Sequence, residues 1–340
     1  MLLSGGTLIT VDQTLSRFEG SVGKADLFGD GTASQAPQRI AGPLNILLAG
    51  IDPRAEDEVP RADTVMVVHV PQSLDRAYVF SLPRDLLVAI PAFEKNGYGG
   101  TGTEKLAHAM FFGAQVSQGL PNAARGFELL AQTVSDYTGI QRFDAGAIID
   151  FGGFSRVIDE LGGVDMQVDQ EVRSLHLRPD GTDRQPAMVG YTGPQMIYRP
   201  GLQHFVGWQA LDYARQRYTE GGDYARQRHQ QQLLRAMIDK AFGSEVITNP
   251  ARIERVLHAA GKSLIFSGRG IPLTEWALAL RELRPHNLTQ IHLAGASNIV
   301  AGQYVGEQLE PAAFGFFDSL LEGTVDSYVL QHPEMISPIV

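Results

Sequence analysis

The amino-acid sequence predicts an α/β fold, a single layered domain in which helices cover a sheet. Three observations carry that expectation. Short unbroken apolar runs at 45–50, 64–70 and 77–82 have the character of strands buried on both faces. Apolar stripes at helical spacing follow them along the chain. No linker or low-complexity segment divides the sequence after residue 44.

At 340 residues the chain suits one large domain or two small ones, and 44% hydrophobic with 19% charged residues is ordinary for a folded protein. A formal net charge of −10 argues against nucleic acid as a partner, since non-specific binding there rests on a basic surface. The absence of cysteine excludes disulfides, thiolate zinc sites and cysteine nucleophiles. The nine histidines are scattered without zinc-binding spacing, and His69, inside an apolar run, reads as a core histidine. No Gly-x-Ser-x-Gly elbow is present.

Taken in order, residues 1–43 read as a lead-in. Their opening MLLSGGTLITV is apolar but shorter than the roughly 20 residues a membrane helix needs. It is either the stub of an anchor or a first element of the fold. Residues 20–43 are rich in Gly, Ser, Ala and Pro and read as extended. The three strands follow, with Pro71, Ser73 and Asp75 turning the second into the third. Polar residues stand at their ends: Asp52 and Arg54, Arg61 and Asp63, Arg84 and Asp85. One such pair would be an ordinary loop ion pair. Three at the ends of neighbouring strands point to a shared site.

Residues 91–103 form a Gly-rich loop without the P-loop spacing. Helices are expected at 104–116, opened by Lys105, and at 122–137, capped by Asn122 and ended near Gly139. A strand at 147–150 leads to a helix at 151–161, whose Phe154, Val157, Ile158 and Leu161 stripe reads as core rather than a lipid groove. Gly162-Gly163 stops it, and 164–168 is a strand. The polar segment 170–200 reads as a long surface excursion of the kind that forms lids or binding loops. Helices at 207–216 and 223–242 come next, then helices near 251–260, 273–284 and 307–322 and a strand near 288–293. The domain is drawn from 44 to 330, with a tail at 331–340.

The most informative stretch is Asp212–Gln230, where Asp-Tyr-Ala-Arg-Gln-Arg begins at Asp212 and again at Asp223. Arg215, Arg217, Arg226 and Arg228 lie close together, with Gly221-Gly222 between the halves. Guanidinium groups are permanently charged forks that match phosphate oxygens in pairs. The cluster therefore calls for an anionic partner, bound or internal, unless it is a solvated helix face.

These motifs, in this order, resemble the LytR–CpsA–Psr (LCP) family of bacterial cell-envelope enzymes. The matching pieces include Asn45–Arg54, Arg61–Thr64, Ser81–Asp85, Lys105–Ala109, Ile149–Phe154, Leu161–Val164, Leu211–Arg217 and the segment from Asp223 to Gln230. The resemblance implies a three-layer α-β-α arrangement with a central mixed sheet. It implies transfer of a glycopolymer from a polyprenyl-pyrophosphate carrier onto a peptidoglycan hydroxyl, with Mg²⁺, at the extracytoplasmic face of the membrane. The anchor usual in the family would be absent or truncated here. Asp63 and Asp85 match the metal-binding acids. Arg84, Lys105, Arg215 and Arg217 match the basic residues around the pyrophosphate, and Asp223, Arg226 and Gln230 match the residues that follow. Two departures stand out: Ala107 replaces an Asn, and His229 stands where many relatives have Arg.

Such chemistry asks the protein for positioning and charge neutralisation. Arg84, Arg215, Arg217 and Asp223 are the candidate catalytic residues, with Asp223 either the base for the acceptor hydroxyl or a helix cap. Two other readings use the same residues: a hydrolase of lipid-linked pyrophosphates, and a prenyl-phosphate-binding protein without chemistry.

Overall fold

A computed structural model describes residues 22–29, 40–53, 55, 57–241, 249–261 and 264–337. The apolar opening at 1–11, parts of the lead-in, Arg54 and Phe242 lie outside the described residues.

In chain order the first elements are β1 (Gly23–Lys24), β2 (Leu44–Ile51), β3 (Thr64–Val70), β4 (Ala77–Leu82), β5 (Leu87–Ile90), β6 (Thr101–Lys105), α1 (Ala107–Ala114), α2 (Ala123–Thr138) and β7 (Ala145–Asp150). Then come α3 (Phe151–Glu160), β8 (Val164–Val168), the two-residue strands β9 (Val172–Arg173), β10 (Gln185–Pro186), β11 (Tyr191–Thr192) and β12 (Ile197–Tyr198), and β13 (Gly201–Phe205). Helices α4 (Gly207–Arg215), α5 (Gly222–Ala241) and α6 (Pro250–Gly261) complete that stretch. The chain ends through β14 (Leu264–Ser267), α7 (Leu273–Ala279), β15 (Leu288–Ile291), β16 (Gly295–Val300), β17 (Gln303–Leu309), α8 (Pro311–Glu322) and α9 (Val325–Gln331). Two compact units result: the chain through Asp150 together with Gly261–Ser337, and Phe151–Ala260. The continuous 44–330 domain of the sequence reading thus contains an inserted unit. Its first junction falls directly at the step from β7 to α3 and its second at the last residue of α6, so no linker composition marks them.

The first unit is built on a seven-stranded mixed sheet, ordered β1-β14-β7-β2-β3-β4-β15. The three apolar runs are adjacent at its centre, as their composition requires. Side-chain alternation splits them between two faces. Leu47, Ala49, Val65, Val67, Phe80 and Leu82 pack with Phe127 and Leu130 of α2 and Phe316 and Phe317 of α8. Leu44 and Val70, on the opposite face, join Trp276 of α7. Helix α2 is bounded as its sequence dictates. Asn122 Oδ1 accepts from the Arg125 amide, and Gly139 closes the helix at a left-handed φ of 77° that a side chain would disfavour.

Three expectations are corrected here. The lead-in is not merely extended over 22–29, because β1 pairs in parallel with β14 and Leu27 is fully buried. The helix drawn from residue 104 begins only at Ala107, since Thr101–Lys105 pair with β5. The helix drawn from 307 begins at Pro311, because β16 and β17 form an antiparallel hairpin ahead of it. Proline is well placed in a first helical turn, where no amide partner exists to lose.

In the second unit β8 and β13 pair antiparallel. Val157, Ile158 and Leu161 join Val164, Met166, Tyr198, Phe205, Tyr213 and Leu233 in one core, with Phe154 packed against it. The apolar stripe is therefore core, not an open groove. The 170–200 excursion is ordered by the β9–β12 and β10–β11 pairs.

Candidate active site

The register of the first unit's sheet brings its candidates together. Gly50 pairs with Thr64 and Val65 with Leu82, so the exit of β2, the entry of β3 and the exit of β4 share one end of the sheet. Asp63 is fixed there by its amide, which donates to the Gly50 carbonyl at 2.9 Å. Arg84 Nη1 donates to Asp63 Oδ1, and Arg84 Nε lies 3.5 Å from Asp85 Oδ1. Lys105 Nζ, at the end of β6, is 3.7 Å from that same oxygen. One planar fork thus links both acids, and a second cation flanks Asp85. The backbone holds the geometry: the Arg84 carbonyl accepts from the Ala107 amide at 2.9 Å and the Asp85 carbonyl from the Glu307 amide at 2.8 Å. Arg61 is turned to the ring of Phe111, 4.8 Å from its centroid.

No group of three or more metal-ligating side chains occurs among the described residues. The pair Asp63 and Asp85 still fits magnesium, a hard ion usually held by one or two carboxylates and the substrate's own phosphate oxygens. Both side chains are only partly exposed, at 25% and 15%, and Arg84 already draws them toward one point.

The second cluster lies on α4 and α5 of the other unit. Gly221 and Gly222, at φ 87° and 51°, make the turn that a side chain would strain and let α5 start at once. Asp223 sits in its first turn. Its Oδ1 is 2.7 Å from Arg226 Nη2 and its Oδ2 accepts from Gln227 Nε2 at 3.0 Å, while Arg217 Nε approaches to 4.0 Å. The carboxylate therefore organises side chains rather than capping the helix. Arg226 is almost fully buried. Gln230, four residues on and on the same helix face, is 8% exposed, with Oε1 accepting no hydrogen bond among the described residues. Arg215 is exposed and lies over the Phe151 ring at 5.7 Å.

The two halves of the Asp-Tyr-Ala-Arg-Gln-Arg repeat do different work. Asp212 is buried and accepts from Tyr198 Oη at 2.8 Å, Ser174 Oγ at 3.0 Å and Gln216 Nε2 at 2.7 Å. Burial pushes its carboxyl above the usual range, and the Tyr198 phenol up with it. It ties α4 to the 170–200 segment and is not available as a ligand. Arg228 also leaves the anion-binding set, because its Nε donates to Asp169 Oδ2 at 3.0 Å. His229, fully buried and stacked on Tyr213 at 4.3 Å, meets Asp169 Oδ1 at 3.0 Å. Burial would raise the Asp169 carboxyl, but His229 and Arg228 together outweigh it and hold it well below the ordinary range.

Asp169 escaped the sequence reading because nothing near it in the chain announces its partners some sixty residues on. Tyr304 escaped as well, because 303–309 (QYVGEQL) lacks the polar/apolar alternation that signals a strand. Its hydroxyl lies 3.3 Å from Asp85 Oδ2, and its ring lies 5.1 Å from Lys105 Nζ.

Known proteins agree with this architecture. The probable cell wall biosynthesis protein LcpB of Corynebacterium glutamicum is 30% identical over 269 residues, covering 74% of this chain and 55% of LcpB. The polyisoprenyl-teichoic acid–peptidoglycan teichoic acid transferase TagV of Bacillus subtilis is 27% identical over 243 residues, covering 71% of this chain and 53% of TagV. The matched stretch is thus about half the length of these relatives. Among solved structures, B. subtilis TagV superposes with a TM-score of 0.59 at 22% identity, covering 84% of this chain and 98% of that one. TagT bound to LI-WTA gives 0.59 at 22% identity, with 87% and 98% covered. These likenesses establish the shared fold. The LytR_cpsA_psr family model matches residues 9–316, and the chain belongs to that family.

Proposed function

We propose that the chain is a glycopolymer transferase, moving a sugar-phosphate unit from a polyprenyl-pyrophosphate carrier to a peptidoglycan hydroxyl at the extracytoplasmic face of the membrane. The observation that carries this reading is Arg84 linking Asp63 and Asp85 at the sheet end, with Lys105 beside them. An acid pair laced with cations suits a pyrophosphate better than a neutral ligand. Among the described residues no helix is long and apolar enough to cross a membrane, so the assigned location rests on the substrate's lipid carrier.

In the proposed reaction the acceptor oxygen forms a bond to the sugar-bearing phosphorus. The bond from that phosphorus to the bridging oxygen breaks, and prenyl phosphate departs. Asp63 and Asp85 would hold a magnesium ion, which supplies charge neutralisation at the pyrophosphate when bound. Arg84 and Lys105 on one unit, and Arg215, Arg217 and Arg226 on the other, are each assigned to phosphate oxygens. Gln230, on the face of α5 that carries Arg226, is assigned to phosphate oxygens as well. Asp223 is assigned the acceptor proton, with Arg226 and Gln227 fixing its carboxylate.

The test is incubation of the full chain with Mg²⁺, a polyprenyl-pyrophosphate-linked glycan and peptidoglycan. A covalent sugar-phosphate conjugate on the peptidoglycan is expected. Free phosphate products alone would make the protein a hydrolase, and binding without turnover would make it a carrier.

A further inference from the structure

The β16–β17 hairpin reaches the acid pair through one side chain. In an unbroken strand, residues three apart face opposite sides. Tyr304 and Glu307 nonetheless share a side, because the register shifts between Asn298 and Ile299: Asn298 pairs with Gly306 but Ile299 with Tyr304, which leaves Val305 as the extra residue of a bulge. Bulges re-aim side chains in this way, often beside sites of chemistry. The Tyr304 hydroxyl consequently lies 3.0 Å from Glu307 Oε1 and 3.3 Å from Asp85 Oδ2.

Glu307 is the fixed end of this relay. It is 5% exposed, Ser297 Oγ donates to its Oε1 at 2.9 Å, and its Oε2 is buried with no hydrogen-bond partner among the described residues. Its amide is bonded to the Asp85 carbonyl, and Gly306 admits that approach: a Cβ there would sit 2.7 Å from the same carbonyl oxygen. Asp85 is left with Oδ2 toward Tyr304 and Oδ1 toward Arg84 and Lys105.

We infer that Tyr304, anchored by Glu307, is a positioning residue that sets the Asp85 carboxylate for its cation and keeps the Lys105 ammonium under its ring. The inference rests on the proposed assignment of Asp63 and Asp85 to a divalent cation. Outer partners of ligating carboxylates orient them, and their loss typically weakens metal binding about 10-fold or more.

The experiment is direct manganese(II) titration, read by electron paramagnetic resonance, of the full wild-type chain and the Tyr304→Phe variant. Thermal melting of both controls for folding. Phenylalanine keeps the ring over Lys105 and removes only the hydroxyl of a side chain that is 44% exposed. Melting should be unchanged while the dissociation constant rises about 10-fold. Equal affinities would overturn the inference and leave the Asp63/Asp85 assignment standing. No manganese binding by the wild type would overturn both.

Discussion

Arg226 and Asp223 stand one turn apart on the same helix, 2.7 Å between Nη2 and Oδ1, with the arginine nearly inaccessible to water. A buried guanidinium depends on its carboxylate, so loss of activity on removing Asp223 has two sources. Asp223→Ala is expected to lower unfolding stability by about 2 kcal/mol, the scale of a charged hydrogen bond. Arg217→Ala removes a more exposed group 4.0 Å from the same carboxylate. Its stability should stay within about 0.5 kcal/mol of wild type while transfer is lost. Urea unfolding beside the transfer assay separates the two variants, and equal melting of both would remove Asp223 from its structural role.

Arg84 serves two carboxylates with different nitrogens, Nη1 for Asp63 and Nε for Asp85. Lysine offers a point charge and cannot span both. Arg84→Lys is therefore expected to lower kcat by about 100-fold, comparable to losing one preorganised donor to a developing charge. Steady-state transfer rates check this, and wild-type turnover in the lysine variant would show that the fork is dispensable.

Asp169 is the counter-ion for Arg228 and the hydrogen-bond partner of a histidine that has no access to solvent. Asp169→Asn should destabilise the protein by about 2 kcal/mol, since it weakens charged hydrogen bonding to the half-buried Arg228 and the contact with buried His229. The sign of the pH effect follows from a carboxyl depressed below its ordinary 3.8 in the fold. The contribution is complete above pH 3.8 and is lost as pH falls toward the depressed folded value. Denaturation midpoints below pH 4 should then fall more steeply for the wild type than for the asparagine variant.

His69, in β3, donates from Nδ1 to Asn45 Oδ1 at 2.8 Å, and burial lowers its pKa from 6.5 to about 4, opposed in part by Asp326. Between those values the unfolded chain binds the proton and the folded one does not. Stability is expected to decline as pH falls from 6.5 to 4, by about 3 kcal/mol in all. His69→Gln should flatten that part of the profile in urea midpoints measured between pH 7 and pH 4.

The placement of several candidate residues could be read before any coordinates, because they lie next to unmistakable local signals. Asp63, Arg84 and Asp85 flank strands whose unbroken apolar runs could only be interior. Asp223 and Arg226 share a face because the helical repeat puts them there. Arg228 was harder to place. Its spacing put it in the arginine cluster without making it a site candidate, and its distant partner Asp169 is what the fold adds.

The chain alone determined where its elements begin and end wherever a cap, a glycine or a β-branched run enforced the boundary, as at Asn122, Gly139 and 64–70. The partners of Arg228 and His229, the bulge that turns Tyr304 toward Asp85 and the insertion of 151–260 were decided by tertiary structure. The reason is physical. Backbone propensity acts over a few residues, whereas desolvation and charge pairing depend on whichever distant side chain occupies the same buried space.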